Sequence, residues 1–166
     1  IVILGLVIGF VNGSLVTRFN IPSFIVTLGM LSVLRGAALL ATGGWPTIIK
    51  LPTDHSFLNI TAGRAWHFVP TQVFWMAGLM IIAAFVLGRT ILGRYTFAIG
   101  SNEEATRLSG VSVVRWKASV YVVSGLFAGL AGVVIAARLN SAQPSLGMGY
   151  ELDAIAAAVI GGTSLS

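Results

Sequence analysis

The chain has 166 residues, of which 56% are hydrophobic and 9% charged, with a mean hydropathy of +0.93. A soluble domain carries roughly 25% charged residues, so this chain has too few polar side chains to cover a water-facing surface, whereas a lipid-facing surface needs no such cover. The net charge of +5 is scattered between apolar runs and forms no basic stripe, which argues against nucleic acid as a partner, and the absence of cysteine excludes disulfides and thiolate chemistry.

A bilayer core of about 30 Å takes about 20 mostly apolar residues as helix. The first apolar run, 1–16, reads as the end of one span. Complete spans are predicted over 23–42, 69–87 and 118–137, and the run 152–165 reads as the start of another. Both ends are thus expected to be cut ends of a longer chain. Between the runs lie a tight link at 18–22, a long loop at 43–68, a basic segment at 88–117 and a link at 138–150. The predicted fold class is all-α: a polytopic transmembrane helix bundle, here with three complete spans and parts of two more.

Gly5, Gly9 and Gly13 recur every four residues, as do Gly125 and Gly129, with Ala128 and Gly132 alongside. This spacing lets helix backbones approach closely where no hydrophobic drive acts between helices, and it predicts a packed pair; the competing reading is that glycine is simply common in membrane helices. Arg89, Arg94, Arg107, Arg115 and Lys117 fall in the basic segment, so the positive-inside rule places it in the cytoplasm. Alternation then puts Arg18 on the same side and the 43–68 loop and 138–150 link outside. Trp45, Trp66 and Trp75 near the outer ends, and Tyr95 and Trp116 near the inner ones, suit interfacial belts or core packing.

Within the basic segment, Ser101-Asn102-Glu103-Glu104 has capping-box spacing, the Ser101 hydroxyl serving the amide three residues on and the Glu104 carboxylate returning to it. A helix is expected from about Asn102 to Ser109, stopped by Gly110, with Ala105 and Leu108 on one side and Glu103, Glu104 and Arg107 on others. So short a helix is marginal alone, which predicts either docking to a partner protein or a capped turn lying on lipid headgroups.

Arg35 is the one ionisable residue inside a complete span; it either snorkels to the interface or serves the transport path. Glu151 and Asp153 meet a helix N-terminal dipole, and capping alone accounts for them. Asn140, Gln143 and Glu151 nevertheless cluster around an outer link before a glycine-interrupted segment, where polar groups suit the hydroxyls of a sugar. Asn12 and Thr27 are weaker candidates that alternatively bond between helices. His55 and His67 match no metal motif, and Asn59-Ile60-Thr61 is taken as a chance glycosylation match. No cofactor or metal is expected. An ion-coupled carrier or channel should show acidic or His relays at mid-membrane, and the complete spans contain none; no nucleophile–base pair points to a membrane enzyme.

Several stretches together resemble the permeases of ribose- and xylose-type ABC importers. They are Asn12-Gly13 with 21–30; Gly93-Arg94-Tyr95 through Gly100 to Val111; 125–132; and Ser141-Ala142-Gln143-Pro144 with 147–157 and the closing Gly161-Gly162-Thr163-Ser164. The resemblance implies the middle of a multi-pass bacterial inner-membrane permease for a monosaccharide, working by alternating access. It implies pairing with a second permease copy or paralogue, substrate delivery by an extracytoplasmic solute-binding protein, and ATP hydrolysis in separate ATP-binding subunits, so this chain is no enzyme. The resemblance also makes 93–114 the cytoplasmic loop whose short coupling helix, 101–110, docks on the ATPase. The absence of a GxxxxGK[ST] phosphate loop agrees. Permeases for branched-chain amino acids, nucleosides or signalling sugars are near relatives. The 52–69 stretch departs from the family pattern, apart from Val69-Pro70.

Overall fold

The structure, a computed structural model, describes residues 1–48, 64–66, 69–139 and 141–162. Its helices are α1 (Val2–Phe19), α2 (Ser23–Thr42), α3 (Thr71–Arg89), α4 (Ile91–Ser101), α5 (Glu103–Leu108), α6 (Val113–Leu139) and α7 (Tyr150–Ile160). Four very short strands complete it: β1 (Thr47–Ile48), β2 (Arg64–Trp66), β3 (Val69–Pro70) and β4 (Ser141–Ala142). The strands form two antiparallel pairs, β1 with β4 and β2 with β3, and Thr47 lies opposite Ala142.

Breaks between helices follow local chemistry. Asn20 adopts a left-handed conformation at φ 53°, and Pro22, at φ −51° and ψ 130°, opens α2 without needing an amide donor. Gly43 closes α2 at φ 61°. Pro70 stands immediately before α3 in the same way.

Among the described residues, α1, α2, α3 and α6 are each long and apolar enough to cross a membrane. Three of them are the complete spans expected, and α1 is the run read as the end of another. The run expected to end at residue 16 continues to Phe19, and α6 outgrows its predicted 118–137 at both ends. At 27 residues α6 is about 40 Å long, more than a bilayer core, and its ends carry Arg115, Lys117 and Arg138. The last apolar run is helical over 150–160 only, with 163–166 outside the described residues. The basic segment is mostly helix: α4 and α5 occupy 91–108.

The tightest packing joins α1 to α6, running antiparallel. A Cβ built on Gly125 would collide with the Gly5 carbonyl oxygen and lie 3.0 Å from the Gly9 Cα; one on Gly9 would strike the Tyr121 carbonyl and lie 3.0 Å from the Val122 Cα. Gly13 faces Ala118, and Gly129 faces Val2. With Gly13 against Ala118, the Arg18 end of α1 lies beside the Arg115 and Lys117 end of α6, so these three make one end of the bundle basic, while Arg138 lies at the other end of α6. Elsewhere burial is thin: among the described residues the buried apolar side chains are Val16, Val26, Val113 and Ala137, while Phe10, Ile25, Leu40 and Ile82 are exposed. Such apolar exposure suits hydrocarbon as solvent.

Candidate functional site

At the end of the bundle away from the basic residues, a cleft of about 320 Å³ opens between α2, α6 and the link before α7. Ala38 and Thr42 of α2 form one wall, Gly132, Ile135 and Ala136 of α6 another, and Ser141, Gln143, Pro144 and Tyr150 close it. The link is shaped by turns: Leu146 N–H donates to the Gln143 carbonyl at 3.2 Å, and Gly147 and Gly149 adopt φ of 80° and 92°. Those angles suit glycine, which lets the chain reverse direction before α7 begins. β4, at the start of the link, is tied to β1, so the segment after α2 and the segment after α6 are held together above the cleft.

Beside the cleft stands Glu151. One carboxylate oxygen accepts from the Gly149 N–H at 3.1 Å, and the other lies 3.7 Å from the Arg35 guanidinium. Capping and ion pairing therefore both occupy this residue, and Arg35 reaches across to a partner on another element. Asp153 lies exposed in the first turn of α7.

Of the five residues predicted to line a path, the structure brings Gln143 and Glu151 to this cleft. Asn140 lies outside the described residues, as do His55, His67 and the Asn59-Ile60-Thr61 stretch. Asn12 and Thr27 sit in the other half of the bundle. The Thr27 hydroxyl donates to its own helix, to Ser23 at 3.0 Å and Phe24 at 3.1 Å, so no interhelical bond is made there. The Asn12 side-chain oxygen is buried without a hydrogen-bond partner among the described residues.

At the basic end, α4, α5 and the first turns of α6 form one unit. The helix cap corrects the sequence expectation by one residue. The chain stays helical through Ser101, so Asn102, extended at φ −157° and ψ 101°, is the N-cap, its side chain accepting from the Ala105 N–H at 2.9 Å. Glu104, expected to return to Ser101, instead lies 3.9 Å from Arg107. Ser109 closes α5, and Gly110 follows at φ 82°. The buried Thr106 hydroxyl donates to the carbonyls of Ala98 at 3.0 Å and Asn102 at 2.8 Å, fastening α5 to α4. Lys117 reaches Glu103 at 2.8 Å, and the Tyr95 and Trp116 rings face each other at 4.7 Å and 46°. Leu108, at 80% exposure, projects from the end of this unit.

All of the chain, 1–166, matches the family described as branched-chain amino acid transport system / permease component. The chain belongs to that family. It is 47% identical over 165 residues to the ribose import permease protein of Escherichia coli K12, which covers 98% of this chain and 51% of that protein. The Bacillus subtilis ribose import permease protein is 44% identical over 156 residues, 93% of this chain and 48% of its own. The Escherichia coli K12 L-arabinose transport system permease protein is 39% identical over 155 residues, 93% of this chain and 46% of its own. No solved structure matches. The permease chain thus spans about half the length of the curated relatives it matches.

Three participants escaped the sequence reading of this permease. Thr106 and Lys117 fasten the short helix and the Tyr95–Trp116 pair joins α4 to α6, but the contacts of Lys117 and Trp116 span 14 and 21 positions, where no spacing rule applies. Thr106 had a local signal, since threonine four residues after an N-cap can bond back to that residue's carbonyl. The Arg35–Glu151 pair joins residues 116 positions apart and had none.

Proposed function

We propose that this chain is the central part of the membrane-spanning subunit of an ATP-driven importer for ribose-class monosaccharides. It sits in a bacterial inner membrane, pairs with a second permease copy or paralogue, takes solute from an extracytoplasmic binding protein at the cleft end, and docks on separate ATP-binding subunits at the basic end. The observation that carries this reading is the unit at the basic end, which holds the 93–114 loop. A helix of six residues would fray alone, yet here it is capped by Asn102, bonded through Thr106 and tied by Lys117, while Leu108 and the Glu104–Arg107 face remain free to meet another protein. Rigid presentation of an exposed apolar tip flanked by charges is the arrangement a docking knob requires.

The solute class rests on the sugar permeases above and on the chemistry of the cleft. Gln143, Tyr150 and Ser141 offer paired donors and acceptors, and Thr42, whose hydroxyl donates to the Ala38 carbonyl at 2.9 Å, can still accept; such a set suits neutral polyols. The chain's part in transport is mechanical: it shifts between two arrangements, and ATP hydrolysis elsewhere biases them.

The test uses the complete gene product in proteoliposomes with its ATP-binding subunit and ribose-loaded binding protein. ATP-dependent ribose uptake is expected, with leucine failing to compete. Leu108→Glu is expected to abolish uptake and the stimulation of ATP hydrolysis by binding protein while the permease remains folded. Uptake of ribose with no ATP-binding subunit present would refute the importer reading, and leucine uptake would refute the sugar assignment.

A further inference from the structure

We infer that the Arg35–Glu151 ion pair is a latch that closes the inner end of the cleft and must open for solute to pass. This rests on the importer reading above and assigns the closing step to two residues.

Position is the first argument. Arg35, Ala38 and Thr42 lie three and four positions apart, on one stripe of α2. Ala38 and Thr42 line the cleft, so Arg35 stands at its inner end, one turn deeper toward the membrane centre. Glu151 approaches from the opposite side, next to Tyr150, which also lines the cleft. Their 3.7 Å contact therefore lies next to the cleft, on the side toward the middle of α2.

Sparse direct contact between these two helices is the second argument. Within this chain α2 and α7 meet at few residues besides this pair. Extensively packed helices cannot part without opening voids, whereas a bond between two side chains breaks and re-forms with little rearrangement. The charges are also partly wetted, at 31% and 27% exposure, so water from the cleft can take them up when they separate.

Hinges are the third. α7 is an eleven-residue helix between Gly147 and Gly149, at φ 80° and 92°, and Gly162, at φ 92°. Glycine at these angles lets the helix swing as a short rigid piece. Glu151 keeps its bond to the Gly149 N–H when Arg35 lets go, so its carboxylate is never left without a partner and the latch can reclose. Arg35 acts through Glu151 and is a positioning residue.

The experiment measures two fluxes of labelled ribose in proteoliposomes of the complete gene product: ATP-driven uptake with binding protein and ATP-binding subunit, and equilibration down a gradient without ATP. Arg35→Gln is expected to raise the passive flux at least about tenfold and to lower ATP-driven accumulation, while Arg35→Lys, which keeps the charge, holds passive flux near the wild-type value. Passive flux unchanged in folded Arg35→Gln would overturn the latch, because a merely structural bond alters yield but not leak. A second arm holds if that variant does not fold. Arg35→Cys with Glu151→Cys, in a background free of other cysteines, is bridged by a reducible bifunctional thiol reagent; uptake is expected to stop on bridging and return on reduction. Wild-type uptake in the bridged protein would overturn the proposal. If the unmodified protein takes up no sugar under these conditions, the importer reading itself falls, and the latch with it.

Discussion

Replacing Gly125 by alanine tests how the bundle is held. The added Cβ would collide with the Gly5 carbonyl oxygen and lie 3.0 Å from the Gly9 Cα and 3.1 Å from the Gly5 carbonyl carbon, all backbone atoms that no rotamer change can move. α1 and α6 must therefore separate by roughly 1 Å, and a gap of that size forfeits a quarter to a half of each dispersion contact it opens. Overpacking of this kind costs about 1–3 kcal/mol, or roughly 5- to 150-fold in the folded equilibrium. Gly132→Ala is the matched comparison, on the same helix seven positions along, because its Cβ would meet only the Ile1 side chain at an ordinary 3.5 Å. Titration of the purified protein with a denaturing detergent, read by helix content, should show the first variant strongly destabilised and the second near wild type. Equal losses in both would refute the argument from close approach and leave only a general cost of altering a membrane helix.

Gly93→Ala should disrupt the α3–α4 corner, since its Cβ would overlap the Leu87 backbone, lying 2.7 Å from that Cα; a drop in thermal stability exceeding that of Gly100→Ala, where nothing lies within 4 Å, checks this. Thr106→Val keeps the shape but removes the donor to Ala98 and Asn102, and should cost about 1 kcal/mol and speed backbone hydrogen exchange across 103–108 more than elsewhere. Lys117→Gln breaks a half-exposed pair and should change global stability by less than about 1 kcal/mol, while lowering the ATPase stimulation that depends on how α5 is held; a large stability loss with normal stimulation would reverse that assignment.

What the sequence made legible was whatever depends on neighbours along the chain. Hydropathy located the spans because every backbone group in hydrocarbon must bond within its own helix, and α2 matches its predicted 23–42. The four-residue recurrence of Gly5, Gly9 and Gly13 marked a face of α1, but nothing in it named α6 as the partner or set the register of Gly5 against Gly125. The cap slipped by one residue because Ser101 and Asn102 are both good capping residues; α4 runs on through Ser101, and that extension decided between them. At the cleft, Gln143 and Glu151 were visible as polar groups beside a break, whereas Arg35 was visible only as an oddity. Its meaning depends on a contact with residue 151 that no local pattern encodes.

The division of packing also predicts which parts move together. α6 runs from the unit at the basic end, where Lys117 holds Glu103, to the cleft, where Gly132, Ile135 and Ala136 form a wall, and backbone-to-backbone contact locks α1 to it. Two helices interdigitated this closely have no second arrangement nearby, so a push at α5 should carry α1 and α6 as one body. α2 and α7, which meet through the Arg35–Glu151 pair, are expected to respond separately if that pair is the latch inferred above. Spin labels at Leu4 and Val114, both exposed on the α1–α6 body, should keep their distance between nucleotide-free and ATP-bound complexes. Labels at Leu40 and Ile160, at 86% and 87% exposure on α2 and α7, should shift by about 5 Å or more. Movement within the first pair as large as within the second would mean that the glycine interface slides, and that the rigid body carrying force from the docking helix to the cleft is not α1 with α6.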